Sequence, residues 1–293
     1  MKNKKIAILG ANSQIAKDLN ELFDPNKFEL FLFSRKSAKG HLNYSQFSNG
    51  FYDYIFNFIG YSDPKKIIEN EDNLFDIWNY YDDLVINYLK KNINCKYFYI
   101  SSGAIYQNFD RPPDKSPTFQ FNLDKINELN KYNLAKLFIE IKHHQYPKLF
   151  IVNLRIFNYI SSNLDIDLNF FITNIIRSIK NKESLVCSSK EFYRDFICAD
   201  DVLNVFNTLK KYEHINSSFD IYSKSAVSNI ELLRFLSKEF ALHFQFDDNF
   251  KAINSTGYKK FYYSNNKKLK KYGYKPKFTS LECINNEFKK IFN

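Results

Sequence analysis

Tyr132 and Lys136 are the residues of this sequence whose types and spacing most directly suggest chemistry. If their segment is helical, residues four positions apart lie on one face, so the ammonium lies beside the phenol. A nearby positive charge lowers the tyrosine pKa from about 10, and Tyr132 would then donate or accept a proton near neutral pH. Because the chain contains 21 Tyr and many Lys, the spacing carries weight only with support from other residues.

A serine at the end of a predicted strand is the second candidate. Ser102 lies in YISSGAIY (99–106), where an apolar run ends. Ligands of parallel sheets bind beyond the carboxyl ends of the strands, so a serine at this position would face the ligand. The alternative is a turn serine that caps a helix.

The segment GANSQIA (10–16) follows the first apolar run and opens a helical pattern. A dinucleotide-binding turn needs a glycine for the tight turn and two small residues for close approach to the pyrophosphate and for packing. Gly10, Ser13 and Ala16 stand at these positions, and phosphates would bind the N–H groups of the first helical turn. Two of the three usual glycines are replaced, so an ordinary strand–turn–helix is the alternative.

Basic residues follow the second apolar run, at Ser34, Arg35 and Lys36. An acidic residue at this position would hold the adenosine ribose of NAD, whereas the planar fork of arginine pairs with the 2′-phosphate of NADP. These residues therefore favour NADP(H) over NAD(H). The alternative is a solvated basic turn.

Apolar periodicity indicates the elements that position these residues. The predicted strands are 4–10, 28–33, 52–60, 96–102 and 149–157, and the predicted helices are 13–23, 75–92 and 122–144. In the last helix, Leu134, Leu137 and Ile141 are predicted to face inward. The alternation predicts an α/β fold, with a Rossmann-type doubly wound parallel sheet covered by helices on both faces.

The pattern loosens after residue 158. Helices are predicted near 168–181, 200–212, 229–242 and 265–272, and strands near 184–187 and 219–223. We expect residues 1–158 to form an NADP-binding domain, to which 194–223 returns. Residues 159–293 are expected to form a smaller C-terminal substrate-binding domain, with the ligand between the two.

The formal net charge of +10 predicts an anionic partner. The lysines are scattered, and no basic motif interleaved with aromatic residues is present. We therefore expect a phosphorylated small molecule and not a nucleic acid.

Four cysteines, Cys95, Cys187, Cys198 and Cys283, lie far apart without a CxxC motif. This spacing suggests neither a metal site nor a redox motif, and it fits a reducing cytoplasm. The segment MKNKKIAILG is too short for a signal peptide, and no stretch of about 18 apolar residues occurs. We expect a cytoplasmic protein without membrane insertion.

The order of these motifs resembles that of the short-chain dehydrogenase/reductase superfamily. Later segments resemble its extended branch, the NAD(P)-dependent epimerase/dehydratase family that acts on nucleotide sugars. These segments are LRIFNYIS (154–161), RDFICADDV (194–202) and KLKKYGYKPKFTSLECI (268–284). The resemblance covers nearly the whole chain and implies an NAD(P)-dependent oxidoreductase with a nucleotide-diphosphate sugar as substrate.

The resemblance also implies residue roles. Tyr132 would be the acid/base, Lys136 would hold the nicotinamide ribose and tune the phenol, and Ser102 would hydrogen-bond the reacting sugar oxygen. Besides Tyr132 and Lys136, the implied cofactor-binding residues are Gly10, Ser13, Gln14, Ile15, Ser34, Arg35, Lys36, Phe58 and Gly60. Besides Ser102, the implied substrate-binding residues are Gly103, Asn158 and Arg194. For Arg194 the alternative is a salt bridge with Asp195 or Asp200.

Residues that this sequence lacks argue against two of the reactions found in the family. Dehydratases of the family carry an Asp-Glu pair after the serine or threonine, where this chain has Gly103 and Ala104. The GDP-fucose synthase type has a cysteine at the position of Ala104 and a distant histidine, and no histidine lies between His144 and His214. Neither reaction is expected.

Three interpretations remain. The first is an NADPH-dependent reductase of a nucleotide-linked 4-keto (6-deoxy) sugar, which Arg35 favours because such reductases exchange NADPH with the pool. The alternatives are a nucleotide-sugar 4-epimerase with tightly bound NAD(P), and a non-catalytic cofactor-binding regulator. Many relatives dimerise through helices that correspond to 75–92 and 122–144, so a homodimer is expected.

Overall fold

A parallel sheet of six strands lies at the centre of the residues that the computed structural model describes, which are 3–35, 40–61, 63–106, 108–119, 124, 130–247 and 259–292. The strands are β1 Lys4–Leu9, β2 Phe28–Phe33, β3 Tyr54–Asn57, β4 Lys96–Ser102, β5 Ile151–Ile156, β6 Asn158–Tyr159, β7 Leu185–Cys187, β8 Tyr193–Arg194, β9 Phe196–Ile197, β10 Asn216–Asp220, β11 Val227–Ser228, β12 Phe244–Phe246 and β13 Phe261–Tyr262. The α-helices are α1 Gln14–Leu22, α2 Pro64–Glu69, α3 Leu74–Lys91, α4 Lys131–His144, α5 Phe171–Asn181, α6 Ala199–Leu209, α7 Asn229–Phe240 and α8 Ser280–Phe292.

The strand order of the central sheet is β10-β5-β4-β3-β1-β2, and neighbouring strands are parallel. Since β1 lies between β2 and β3, the chain winds outward from β1 in both directions. This order confirms the predicted Rossmann-type doubly wound sheet.

Both faces of the sheet are buried, which explains why its strands read as continuous apolar runs. Adjacent residues of β1 point to opposite faces. Ile8 belongs to the core that includes Phe206 of α6, whereas Leu9 belongs to the core that includes Trp78 of α3. Helices α1 and α6 therefore cover one face, and α3 and α4 cover the other.

Helix α4 differs from its prediction in two ways. It begins at Lys131, because Asn130 has an extended backbone and caps the helix by accepting a hydrogen bond from Asn133 N. Of the predicted stretch before it, residues 122, 123 and 125–129 lie outside the described residues. Ile141 is 47% exposed and Ile139 is buried, so the predicted inward position of Ile141 is wrong.

Three further elements differ from the sequence-based predictions. Strand β10 occupies 216–220, so its pairing begins three residues earlier than in the predicted strand 219–223. The predicted helix 265–272 is a short 3₁₀ turn, Lys268–Tyr272, that ends at Gly273 with φ of +89°. Helix α8 was not predicted, although Cys283, Ile284 and Phe288 line its buried face with helical spacing.

A third hydrophobic core lies outside the central sheet and includes residues of α5, α7 and α8. Within it, the Asp201 carboxylate accepts a hydrogen bond from Cys198 N at 3.2 Å and lies 3.5 Å from the Cys283 thiol. The sequence-distant thiols of Cys198 and Cys283 are 3.8 Å apart. This buried contact ties α8 to the first turn of α6. The division at residue 158 stays a prediction.

None of the described helices combines the length and the apolar character needed to cross a membrane.

Candidate active site

The carboxyl ends of three neighbouring strands bring three predicted segments to one edge of the sheet. Gly10 follows β1, Phe58 follows β3 and Ser102 ends β4. Gly10 has φ of +76°, and a Cβ there would lie 2.8 Å from the carbonyl carbon of Phe58. Only glycine fits both this conformation and this approach of the two backbones.

The two predicted catalytic hydroxyls meet at this edge. Tyr132 lies in the first turn of α4, and its ring packs edge-on against Trp78 with centroids 5.4 Å apart. Its phenol lies near enough to the Ser102 hydroxyl for that hydroxyl to act on its pKa. The fold thus brings the end of β4 and the start of α4 together, as the predicted chemistry requires.

The phenol of Tyr132 is held in its protonated form. Burial raises its pKa, and the nearby Ser102 hydroxyl opposes the rise only in part. The predicted lowering of this pKa by Lys136 is therefore wrong for this structure. Instead of acting on the phenol, the Lys136 ammonium donates to the Ile100 carbonyl oxygen at 2.8 Å and to the Tyr99 hydroxyl at 3.3 Å.

Lys136 itself lies in an aromatic setting and is 6% exposed. Its Nζ is 4.5 Å from the ring centroid of Trp78 and 4.8 Å from that of Tyr99, within cation–π range. Burial lowers the Lys136 pKa to about 7, against an opposing effect of Glu140. Near neutral pH, both the charged and the neutral amine are therefore populated.

The titration of Lys136 predicts a pH-dependent stability. Its pKa falls from 10.5 to about 7 on folding, so between these values the unfolded chain binds more protons, and raising the pH stabilises the folded state. We expect the free energy of unfolding of the wild type, relative to Lys136→Met, to rise as the pH increases from about 7 to about 10. Urea unfolding across this range measures it. Lys65→Met changes an exposed lysine and is the control, which should follow the wild type. If the free energies of unfolding of the wild type and of Lys136→Met change in parallel with pH, the low pKa of Lys136 is contradicted.

The turn after β1 presents backbone donors. Ser13 caps α1 by accepting a hydrogen bond from Ala16 N at 3.3 Å. Gln14 and Ile15 begin the helix, and N–H groups of a first turn have no intrahelical acceptor and suit an anion. The side chain of Gln14 donates to Ser161 Oγ at 3.1 Å, and that of Ile15 packs against the core. Any contact of these two residues with pyrophosphate would therefore come from their backbone, and their role in binding the cofactor stays a prediction.

The predicted adenosine-phosphate site lies beyond β2. Ser34 is buried, with its Oγ 3.0 Å from His41 Nδ1, and Arg35 is exposed. The Arg35 charge acts on the phenol of Tyr44, which accepts a hydrogen bond from Gly10 N at 3.1 Å. The guanidinium thus lies near the turn after β1. Lys36 lies outside the described residues.

The same edge of the sheet also has an unused donor, beside Tyr132. The indole N–H of Trp78 is buried without a hydrogen-bond partner among the described residues. A Cβ at Gly60 would lie 2.9 Å from that nitrogen. With the glycine turn and the first-turn N–H groups, this donor beside Tyr132 and Lys136 fits a nicotinamide dinucleotide laid across the strand ends.

Gly103 and Asn158 hold segments together around Ser102. A Cβ at Gly103 would lie 2.4 Å from the ring of Phe157, so the glycine lets this ring pack closely behind Ser102. The Asn158 side chain donates to the carbonyl oxygens of Asp195 at 3.1 Å and Tyr262 at 3.3 Å. Their predicted contacts with substrate stay predictions.

The guanidinium of Arg194 donates to the carbonyl oxygens of Tyr193 at 2.8 Å and Lys259 at 2.9 Å, and lies 4.4 Å from the ring centroid of Phe192. Its binding role also stays a prediction.

The alternative salt-bridge partners of Arg194 have partners elsewhere. The Asp195 carboxylate accepts a hydrogen bond from Ser280 Oγ at 3.0 Å, and Asp200 pairs with Lys277 at 3.0 Å.

Sequence reasoning missed a buried ion network beneath the site. Arg155 of β5 pairs with Glu140 of α4 at 2.6 Å and with Asp220 of β10 at 3.3 Å. Ser101, adjacent to Ser102, donates to Glu140 at 2.5 Å. The signal was present, since Arg155 interrupts an otherwise apolar strand.

Sequence reasoning also missed Tyr262 of β13, whose ring packs against Phe157 with centroids 5.3 Å apart, near enough to Ser102 for that hydroxyl to oppose the rise that burial causes in its pKa. In a chain with 21 Tyr, no local pattern distinguishes it.

The fold and the site define a Rossmann-type enzyme, in which strand ends that fit a nicotinamide dinucleotide lie beside a serine–tyrosine–lysine cluster. A sequence model of the NAD dependent epimerase/dehydratase family matches residues 6–220. The chain belongs to this family, and is therefore an NAD(P)-dependent enzyme of the short-chain dehydrogenase/reductase type. Comparison with curated protein sequences finds no match.

Solved structures with this fold include nucleotide-sugar enzymes. UDP-N-acetylglucosamine 4-epimerase from Methanobrevibacter ruminantium M1, in complex with UDP-N-acetylmuramic acid, is 16% identical, with 99% of this chain and 97% of that chain covered and a TM-score of 0.78. RMD from Pseudomonas aeruginosa, complexed with NADPH, is 15% identical, with 99% of each chain covered and a TM-score of 0.77. The dTDP-4-dehydrorhamnose reductase from Bacillus anthracis, in complex with NADP, is 18% identical, with 99% of each chain covered and a TM-score of 0.75.

Proposed function

We propose that this enzyme is an NADPH-dependent reductase of a nucleotide-linked 4-keto (6-deoxy) sugar. The observation that carries the proposal is the meeting of the Ser102 and Tyr132 hydroxyls at the end of β4, beside the buried Lys136. These groups provide a hydrogen-bond donor, a proton donor and a cation at the edge of the sheet where the cofactor is proposed to bind.

Each side chain has a defined task in ketone reduction. Bound NADPH supplies a hydride to the carbonyl carbon. Tyr132 transfers its phenolic proton to the ketone oxygen, and Ser102 donates a hydrogen bond to the same oxygen. The raised pKa of Tyr132 supports this direction, because a proton donor has to be protonated near neutral pH. Lys136 holds the ribose hydroxyls of the cofactor.

Arg35 favours NADPH as the reductant. An exposed guanidinium just beyond β2 suits the 2′-phosphate that distinguishes NADPH from NADH. Hydrogen bonds between charged groups contribute about 1.5–3 kcal/mol, so Arg35→Ala should weaken NADPH binding about 10- to 100-fold. Binding of NADH should be unchanged.

Fluorescence titration of both cofactors measures this effect. Arg234→Ala removes another exposed arginine, on α7, and is the matched control. Equal NADPH affinity in wild type and Arg35→Ala would refute the assignment of the 2′-phosphate to Arg35.

An anionic nucleotide-sugar substrate agrees with the charge of the chain. The formal net charge is +10, and the basic side chain of Lys259 lies buried beside Arg194. The neighbouring solved structures include one dTDP-sugar and several UDP-sugar enzymes, which supports a nucleoside diphosphate as the part of the substrate that is bound but does not react.

A 4-epimerase is the second candidate, favoured by the similarity to solved UDP-sugar 4-epimerases. The two functions differ in how they use the cofactor, since an epimerase regenerates it in each turnover whereas a reductase consumes it.

The test is an NADPH-consumption screen of the purified protein against 4-keto-6-deoxy sugars on GDP, dTDP and UDP, followed by NMR of the product. Stoichiometric NADPH oxidation with formation of a 4-hydroxyl supports the reductase. Interconversion of UDP-sugar epimers without net cofactor consumption would replace it with the epimerase. Failure to bind either nicotinamide cofactor at millimolar concentration would overturn both.

We also propose a homodimer through α3 and α4. Phe75 of α3 and Phe138 of α4 are 37% and 42% exposed, and their ring centroids are 5.5 Å apart. Together with Ile141 they form an apolar patch across the two helices. We expect light scattering to give twice the chain mass for the wild type and the monomer mass for Phe138→Glu. Tyr212→Glu changes an exposed residue outside the patch and is the control, which should stay dimeric. A monomeric wild type would contradict the proposal.

A further inference from the structure

Trp78 contacts both of the proposed functional residues on α4. It lies on α3 and is 2% exposed. Its ring centroid is 5.4 Å from that of Tyr132 in an edge-on contact, and Lys136 Nζ lies over the indole at 4.5 Å. Its N–H edge meets Gly60, where a Cβ would lie 2.9 Å from the indole nitrogen. One side chain therefore joins α4 to the segment that follows β3.

The contacts of Lys136 leave one of its donors unused. An ammonium has three N–H groups and no acceptor. One N–H donates to the Ile100 carbonyl oxygen at 2.8 Å and another to the Tyr99 hydroxyl at 3.3 Å, and no third acceptor bonds it among the described residues. The rings of Trp78 and Tyr99 cover two sides of the nitrogen, at 4.5 Å and 4.8 Å from their centroids. The third N–H is therefore available to a bound ligand.

The indole also acts on the charge of Lys136. The face of an aromatic ring attracts an ammonium electrostatically, and this attraction is stronger at a site removed from water. Lys136 is 6% exposed, so its site is of this kind. Because burial opposes the charge of Lys136, a contact that favours the ammonium has a large effect on how much of the charged amine is present.

We propose that Trp78 is a positioning residue, which holds the Lys136 amine in its charged form and directs the unused N–H toward the ribose hydroxyls of the cofactor. This inference rests on the role of Lys136 in the proposed function. A charged amine donates a stronger hydrogen bond than a neutral one. Trp78 therefore acts on the cofactor through Lys136.

Few other titratable groups act on Lys136 across neutral pH. Glu140, one turn later on α4, favours the ammonium. Burial raises the pKa of Tyr99 on β4 and that of Tyr132 on α4, so both phenols stay neutral in this range. Asp82 of α3 acts on the Tyr99 phenol and forms ion pairs with a histidine and a lysine of α4.

The pH dependence of NADPH binding tests the proposal, with Lys136→Met as the reference for every other titrating group. In the wild type, affinity should fall as the pH rises through the Lys136 pKa. In Trp78→Leu, which lacks the ring, the same fall should come about one pH unit lower. Trp78→Phe keeps an aromatic face and should titrate closer to the wild type. Tyr80→Leu, at a 67% exposed position of α3, is the matched control and should titrate as the wild type does.

Tryptophan emission gives a second test that leaves Trp78 in place, in case Trp78→Leu does not fold. Trp78 is the single tryptophan of the chain, so selective excitation reports on its surroundings alone. Without cofactor, emission of the wild type should change in one step as Lys136 loses its proton, and emission of Lys136→Met should stay constant. A wild type without this step, or the same step in Lys136→Met, would overturn the proposal.

The outcomes also separate this inference from the proposed function. If Trp78→Leu weakens NADPH binding equally at every pH, the role of Trp78 in the charge of Lys136 is refuted and the reductase stands. If the shift and the emission step occur but no ketone of the screen is reduced, the reductase fails and the role of Trp78 stands. If the protein binds no nicotinamide cofactor, both fail.

Discussion

A Tyr132→Phe variant is expected to lose ketone reduction, with kcat about 10²- to 10⁴-fold lower, the range for removal of a general acid. Phenylalanine keeps the ring contact with Trp78, whose centroid is 5.4 Å away. The change removes the proton that the ketone oxygen needs when the hydride arrives. NADPH affinity should stay within about twofold of the wild type, because Lys136 and the turn after β1 are unaltered.

Tyr80→Phe is the control for this experiment, since Tyr80 is 67% exposed on α3. Steady-state rates and fluorescence titration of NADPH on the same preparations provide both readouts. A Tyr132→Phe enzyme with the wild-type kcat would remove Tyr132 from the mechanism. A loss of NADPH binding equal to the loss of rate would assign it to cofactor binding instead.

The second large effect concerns stability. Arg155→Met should lower the free energy of unfolding by about 3–5 kcal/mol, because it leaves two buried carboxylates without their cation. Burial alone would raise the Glu140 pKa, and Arg155 with the hydroxyls of Ser101 and Ser218 holds it below the usual range. Burial raises the Asp220 pKa in spite of Arg155. Methionine preserves most of the side-chain volume, so the predicted loss is electrostatic.

Urea unfolding of wild type and variant measures this loss. Arg234→Met, at an exposed position on α7, should stay within about 0.5 kcal/mol of the wild type. Replacing Glu140 and Asp220 together with Arg155 by apolar residues should recover part of the stability, since the uncompensated charges are then gone. If Arg155→Met lowers the free energy of unfolding by less than about 1 kcal/mol, the carboxylates find other partners and the prediction is wrong.

The same network links stability to catalysis. Glu140 lies one helical turn after Lys136 on α4, and it raises the Lys136 pKa against the effect of burial. Neutralising Glu140 would shift Lys136 further toward the neutral amine.

The parallel sheet and the edge at which the candidate site lies followed from local sequence. Continuous apolar runs such as KKIAIL require burial on both faces, and helical patterns between them require parallel strands. Gly10 and Ser102 follow or end such runs, and parallel strands place their carboxyl ends at one edge. Tyr132 and Lys136 were identifiable because their spacing fits one face of a helix.

The ends of the helices and the contacts of buried side chains could not be predicted from local sequence in this way. Helix α4 begins at Lys131 because Asn130 caps it, and a chain this rich in Asn offers many such caps. Ile141 is apolar and yet exposed, since the rotation of a helix is set by the surface on which it packs.

The sequence by itself therefore determined the class of fold, the family and the serine, tyrosine and lysine of the site, because these depend on period, order and spacing along the chain. Only the tertiary structure decided that burial raises the Tyr132 pKa, that Lys136 faces Trp78 and Tyr99, and that Tyr262 packs against Phe157. Desolvation and contacts between distant segments depend on which atoms surround a group in space, and neighbours in sequence do not specify them.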